Sequence, residues 1–212
     1  MKRWRFLAVL TATAGLVVAP AVTADAAVPK VRAGMEINVD ETLITASSCT
    51  LGAVVSETKA LTAGHCGKVG QVVYDRGGAP IGKITANEIT RKLDIAVITL
   101  ASRVATKPDV VEWNAVLEAG QPISKFGITT GHGTGQIIDS RPELITSQGF
   151  SLAPPFFLEQ DTYSVKTTLR SQSGDSGAGV RDADGRVVGI LSSGDDKHTF
   201  IAPVSRLPMR LR

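Results

Sequence analysis

Three short stretches carry side chains that together can turn a hydroxyl into a nucleophile. ALTAGHCG, residues 60–67, presents His65; RKLDIAVITL, residues 91–100, presents Asp94 at the head of an apolar run; SQSGDSGAGV, residues 171–180, presents Ser176 among glycines. A serine hydroxyl attacks a carbonyl only when a base takes its proton, an acid orients that base, and N–H donors meet the negative charge that develops. A strand-head carboxylate shielded from water suits the orienting acid. Glycines around Ser176 leave room for a substrate backbone, and a Gly174 N–H turned into a concave loop suits an oxyanion. The chemistry open to this set is acyl transfer, with the chain order His, Asp, Ser.

Order and spacing prune other chemistries. An α/β-hydrolase elbow reads G-x-S-x-G, but the fifth residue here is Ala178, and His198 follows Ser176 too closely to leave room for the intervening elements. A subtilisin-like order could use Asp40, His65 and Ser176, and the HGT at His132 fits it superficially, yet alternation of strands and helices is absent. The three histidines, His65, His132 and His198, include no i, i+4 pair and no HExxH. No metal and no cofactor is therefore expected.

The elements that must hold these residues read as strands. Short runs rich in Val, Ile and Thr, such as GQVVYD, APIGKITANEI, TYSVKTT and GRVVGILSS, recur between Gly, Pro, Asn and Asp clusters without helical periodicity. That pattern predicts an all-β barrel or sandwich. The Asp184-Gly185 step predicts a tight hairpin between GAGVRD and GRVVGI. ASRVATKPDVVEWNAVLEAG, residues 101–120, reads as a crossover between two β units, and SRLPMRLR, residues 205–212, as a surface turn or short helix with a solvated basic tail.

At 212 residues, 43% hydrophobic and 20% charged, the chain has material for a core and is not of disordered composition. MKRWR followed by FLAVLTATAGLVVAPAVTADAA has the layout of a secretory signal, with the cut expected after Ala26; no other segment is long and apolar enough to span a bilayer. Loss of Lys2, Arg3, Arg5 and Asp25 with residues 1–26 takes the formal charge from +3 to +1. The mature part keeps no Lys/Arg cluster with interleaved aromatics, so neither a nucleic-acid partner nor stable membrane association is expected. In an oxidising compartment Cys49 and Cys66 are candidates for one disulfide tethering the His65 loop; two buried free thiols are the alternative.

Taken together, ALTAGHCG, LDIAVITL and SGDSGAGV resemble the His, Asp and Ser motifs of the chymotrypsin-like (trypsin-like, S1) serine proteases. FGITTGHGTGQI, residues 126–137, resembles the G-x-T-T-G segment of the small bacterial streptogrisin-like members. The resemblance implies two antiparallel β-barrels with the site in the cleft between them. Residues 27–120 would form the barrel carrying His65 and Asp94, and residues 121–212 the barrel carrying Ser176 and the specificity pocket. It implies a secreted serine endopeptidase acting on peptide or protein substrates as a monomer. His65 would be the general base, Asp94 would hold its tautomer, the N–H groups of Gly174 and Ser176 would form the oxyanion hole, and Asp175 would shape that turn.

The same resemblance lines the pocket for the residue preceding the cut with Arg170, Ser171, Ser193, Gly194 and Asp195. Arg170 stands where trypsin-type members carry an acid. Turned inward it would exclude basic side chains and favour acidic ones; turned outward, or paired with Asp195 or Asp196, it would leave a small or apolar pocket. Asp195 stands where a glycine is common and would narrow or charge the entrance. That departure keeps a second class open, a protease-fold binding protein with little or no turnover. The short VPKVRAGMEINVDETLITASS before Cys49 allows three cases: competence directly after signal cleavage, a trim near Arg32, or a fold used without proteolysis.

Overall fold

The computed structural model describes residues 28–40, 46–150, 157–195 and 197–212; the expected signal segment, residues 1–26, lies outside them. Among the described residues the chain runs through β1 (Lys30–Val31), β2 (Glu36–Asp40), β3 (Ala46–Thr50), β4 (Ala53–Ser56), β5 (Lys59–Thr62), β6 (Val72–Asp75), β7 (Pro80–Asn87), β8 (Ala96–Leu100), β9 (Ala105–Thr106), β10 (Pro122–Gly127), β11 (Gly131–Phe150), β12 (Phe157–Thr167), β13 (Gly179–Arg181), β14 (Val187–Gly194) and β15 (Thr199–Pro203). Single 3-10 turns stand at Gly64–Cys66, Ile89–Arg91, Val204–Arg206 and Met209–Leu211.

Period-two burial builds two barrels. In β2, Ile37 and Val39 face inward; in β10, Ile123, Lys125 and Gly127 do. Strands β2 to β8 make one antiparallel sheet in the order β3-β2-β6-β7-β8-β5-β4. Its edge strands β3 and β4 follow one another in the chain with only Leu51 and Gly52 between them, so the sheet curls back on itself. The closed barrel β10-β11-β12-β15-β14-β13 follows. Ile37, Leu61, Ile84 and Ile98 pack inside the first, and Ile123, Ile137, Val165 and Ile201 inside the second. Each such burial contributes about 1.5–3 kcal/mol.

The barrels meet backbone to backbone. A Cβ on Gly179 would land on the Gly52 carbonyl, and one on Gly52 would meet the Ile190 side chain at 2.7 Å, so this seam admits only glycine. Thr50 clamps it: its N–H donates to the Ser176 carbonyl at 2.8 Å and its hydroxyl to the Gly174 carbonyl at 2.8 Å. The crossover is fastened by Asp109, whose carboxylate accepts the Val54 N–H at 2.8 Å and the Arg181 guanidinium at 2.7 Å, tying one barrel to the other.

Two features depart from the expectations. The polar stretch after Gly131 continues as a long β-ribbon: among the described residues β12 pairs with β15 over Val165–Thr167, while Glu143–Phe150 and Phe157–Ser164 pair with each other. Eight pairs extend about 27 Å along the strands. The C-terminal SRLPMRLR does fold into short turns, but its basic residues are not solvated freely. Val204 and Leu207 are buried in the first barrel's core, Arg210 pairs with the buried Glu88 at 3.1 Å, Arg212 lies 5.8 Å from the Trp113 ring and Arg206 5.2 Å from the Tyr163 ring. Apolar positions one 3-10 turn apart, Val204 and Leu207, pull the segment down, and the cations follow.

Candidate active site

His65 sits in the 3-10 turn Gly64–Cys66, and three independent fastenings hold that turn. Cys66 is disulfide-bonded to Cys49 on β3. Asp94 accepts the His65 backbone N–H at 2.9 Å and the ring Nδ1 at 2.8 Å. Asn87, at the end of β7, donates from its amide to the carbonyls of Gly64 and Gly67 at 2.7 and 2.8 Å. The sequence reading overlooked Asn87; its place at the end of an apolar strand, seven residues before Asp94, is a weak signal. Because Nδ1–H donates to Asp94, the lone pair of the imidazole is on Nε2, available to take a proton.

Asp94 is 2% exposed and His65 34% exposed. The acid follows Lys92, a non-glycine residue held at φ 61°, which turns the chain so that the carboxylate leaves the strand head toward the histidine. Ser192 on β14 donates to the same carboxylate at 2.6 Å, linking the acid of the first barrel to the strand of the second. Burial alone would push the imidazole below its usual 6.5, but the Asp94 charge and hydrogen bond outweigh it and raise the pKa. Burial likewise works to raise the Asp94 carboxyl; the His65 charge and ring N–H, the Ser192 hydroxyl and the His65 backbone N–H outweigh it and hold the acid below 3.8.

Ser176 lies in a turn whose neighbours Gly174 and Gly177 have φ of 97° and 88°, values that other residues adopt only with strain. The turn is pressed against the histidine turn: Cys66 Sγ is 3.9 Å from the Ser176 carbonyl oxygen. The serine turn and the histidine turn thus meet at the seam of the two barrels, and the side-chain hydrogen bonds there join His65 to Asp94. Both sulfurs near His65 are joined in the disulfide, so the Cys49, His65 and Cys66 group offers no thiolate to a metal.

Behind the serine turn lies an ion pair that the sequence reading missed. Lys125 Nζ is 3.1 Å from Asp175 Oδ2, and both side chains are fully buried. Asp175 also accepts N–H groups of Thr129, Thr130 and Gln172 at 2.9, 3.1 and 3.1 Å and the Thr130 hydroxyl at 2.5 Å. Lys125 donates as well to the Thr130 hydroxyl and to the Gly131 carbonyl at 3.3 Å. Its signal was the alternation in PISKFG, which places Lys125 on the inward face with Ile123. Burial works to raise the Asp175 carboxyl, but the Thr130 hydroxyl and N–H, the Lys125 ammonium and the Thr129 N–H together lower it.

The expected pocket residues separate. Arg170 is exposed. Ser171 Oγ lies 2.9 Å from the buried Thr199 hydroxyl, which donates onward to the Leu169 carbonyl at 2.7 Å. A Cβ on Gly194 would stand 2.6 Å from Ser171 Oγ, so the segment before the serine and β14 nearly touch. Ser193 accepts from the Ser147 hydroxyl at 2.9 Å. The Asp195 carboxylate does not project into a cleft: it caps the β14–β15 turn, accepting the N–H groups of Lys197 and His198 at 2.7 and 2.6 Å, with the His198 ring 3.5 Å away. These backbone hydrogen bonds lower its pKa.

Comparison with known proteins agrees with this geometry. The family model described as Trypsin matches residues 35–207. No curated protein matches the chain. Among solved structures, Cellulomonas bogoriensis chymotrypsin is similar at 21% identity and a TM-score of 0.61, covering 82% of this chain and 92% of that one. Thermobifida fusca Protease A is similar at 18% identity and a TM-score of 0.63, covering 84% and 94%. Nocardiopsis protease is similar at 19% identity and a TM-score of 0.65, covering 86% and 96%. The two-barrel arrangement is the fold these structures share with the chain.

Proposed function

The chain belongs to the trypsin family, and from that premise we propose that it is a secreted serine endopeptidase working through His65, Asp94 and Ser176. The observation that carries the reading is the double hold of Asp94 on His65, through ring and backbone, with Ser192 completing the acid's contacts. Ser176 attacks the scissile carbonyl as Nε2 of His65 takes its proton. The N–H groups of Gly174 and Ser176 stabilise the oxyanion, and the proton then passes from His65 to the leaving amine. Water enters, is deprotonated by His65 and hydrolyses the acyl-enzyme. Asp94 orients the ring and stabilises the imidazolium that forms.

Export in this reading rests on the basic and apolar residues 1–26 and is consistent with an oxidised Cys49–Cys66 pair. Because Lys125 supplies the cation that Asp175 needs, the oxyanion turn requires no newly freed N-terminus, which favours competence directly after signal removal. The residue preceding the cut is small and neutral in this reading, since Ser171 Oγ and Gly194 leave little space between the two pocket walls and Arg170 is exposed. The same narrowness motivates the second reading, a binding protein of protease fold without turnover.

Digestion of a peptide library by residues 27–212, with Ser176→Ala as control, separates them. Cleavage after Gly, Ala or Ser, absent from the control, is the expected result. Peptide capture without cleavage by the wild type would instead favour the binding protein, and cleavage after Lys, Arg or Glu would overturn the narrow pocket.

A further inference from the structure

Between β7 and β8 the chain makes a closed loop whose neck is Glu88. The Glu88 N–H donates to the Ile95 carbonyl at 3.0 Å, and the Glu88 carbonyl accepts the Leu93 N–H at 3.2 Å and the Arg91 N–H at 2.8 Å. Asp94 stands between Leu93 and Ile95, so both neighbours of the acid are fastened to one residue. Glu88 in turn follows Asn87, whose amide holds the Gly64 and Gly67 carbonyls of the histidine turn. The packing there leaves no slack: a Cβ on Gly64 would stand 2.7 Å from Asn87 Oδ1 and 3.1 Å from Asp94 Oδ1. Where Glu88 sits therefore sets the acid and the histidine relative to each other.

The Glu88 side chain is 8% exposed, and a carboxylate buried that far needs cations against it. Arg91 Nη1 is 3.0 Å from one of its oxygens and Arg210 Nη2 3.1 Å from the other. Arg91 belongs to the loop itself and cannot anchor it; Arg210 comes from outside. Its segment follows β15 of the second barrel and packs on the first, with Val204 and Leu207 in that core. The Arg212 guanidinium donates to the Ser205 and Leu207 carbonyls at 2.8 Å each, and the Lys59 ammonium to the Arg212 and Leu211 carbonyls at 2.6 and 3.3 Å. Lys59 opens β5, the strand that runs into the histidine turn. The segment is thus fixed to the strand before His65 and, through Arg210, to the loop that carries Asp94.

Resting on the endopeptidase reading, we propose that Arg210 is a positioning residue for the reaction, holding Asp94 in hydrogen-bond register with His65 through the Glu88 carboxylate. Its contact is with Glu88 rather than with the triad, so it governs turnover and not substrate affinity.

The test compares residues 27–212 as wild type, Arg210→Ala and Arg210→Lys, at a temperature where melts show all three folded. Arg210→Ala is expected to lower kcat about tenfold with KM near the wild-type value, as a small misplacement of a catalytic pair does. The low-field proton resonance of the His65 Nδ1–H should weaken in the same variant. Its acid limb of kcat/KM should move to lower pH, because a loosened Asp94 leaves burial to depress the imidazole, whereas mere removal of a positive charge would move it upward. Arg210→Lys keeps the cation and should recover most of the loss. Should Arg210→Ala not fold, Glu88→Gln, which removes the charge that Arg210 holds, is expected to show the same loss in kcat. A lower Tm with kcat, acid limb and Nδ1–H resonance unchanged would assign Arg210 to stability alone and overturn the proposal, leaving the endopeptidase reading intact. A loss confined to KM, or an acid limb moved to higher pH, would overturn it too. A folded wild type that cleaves no peptide and takes no fluorophosphonate would remove the endopeptidase reading and the proposal with it.

Discussion

Replacing Lys125 by Met removes the cation from a pair in which both side chains are fully buried. Methionine fills nearly the same volume, so the change tests charge rather than packing. Asp175 keeps its three backbone N–H donors and the Thr130 hydroxyl, but nothing then neutralises its charge. Breaking a buried pair from one side costs about 3–5 kcal/mol, which for a chain of this size corresponds to roughly 6–20 °C in Tm. Activity should fall further than stability alone dictates, because Asp175 precedes Ser176 and follows Gly174. Measured where both proteins are folded, kcat/KM is expected to drop about tenfold or more as the oxyanion turn loses its anchor. Urea and thermal melts, with a double-mutant cycle against Asp175→Asn, give the assay. In the Asp175→Asn background no buried carboxylate is left to strand, so Lys125→Met should cost much less there. Equal costs in both backgrounds, or an unchanged Tm in Lys125→Met, would refute the reasoning. Replacing both residues by apolar ones should not restore stability, because three backbone N–H groups would be left without an acceptor.

The remaining predictions concern the histidine and its supports. The raised pKa of His65 places the acid limb of the kcat/KM profile above pH 6.5, because the imidazole must be neutral to act as base and gains that form as pH rises. Asp94→Asn removes the charge that lifts it, leaving burial to push it down; the limb should move to lower pH while the plateau falls by up to about 10⁴-fold. Ser192→Ala deletes the 2.6 Å hydrogen bond to buried Asp94; a bond to a charged group is worth about 1.5–3 kcal/mol, so steady-state kinetics should show a loss of about 10–100-fold in kcat/KM. Reducing the Cys49–Cys66 bridge, which spans 17 residues, should lower stability by about 3 kcal/mol, measured as the urea midpoint with and without a thiol reductant.

What the sequence made legible follows from how local each signal is. His65, Asp94 and Ser176 stand in short motifs whose glycines and flanking apolar runs have local reasons, and the strands around them carry period-two patterns. Lys125 was equally local, lying on the inward side of PISKFG, but a lysine on an inward strand face shows no role until its partner, fifty positions later in the chain, is known. Ser192 was visible only as one of two serines in LSSG; which of them turns to Asp94 depends on the pleat of β14 where its register with β15 shifts. The ribbon left little apolar alternation in GTGQIIDSRPELITSQGF, because neither face of its outer half covers the barrel core. Arg170 and Asp195 were read from their places relative to the serine and the strand, whereas their directions were set by tertiary contacts: solvent for one, the N–H groups of a turn for the other.

The central claim is that Ser176 is made nucleophilic by His65 held on Asp94. Intact-mass and peptide-mapping analysis of residues 27–212 after treatment with a fluorophosphonate tests it most directly. The account predicts one adduct per chain, mapped to Ser176, absent from Ser176→Ala and strongly slowed in His65→Ala. A correctly folded wild-type chain that gains no adduct, or gains it on another serine, would contradict it.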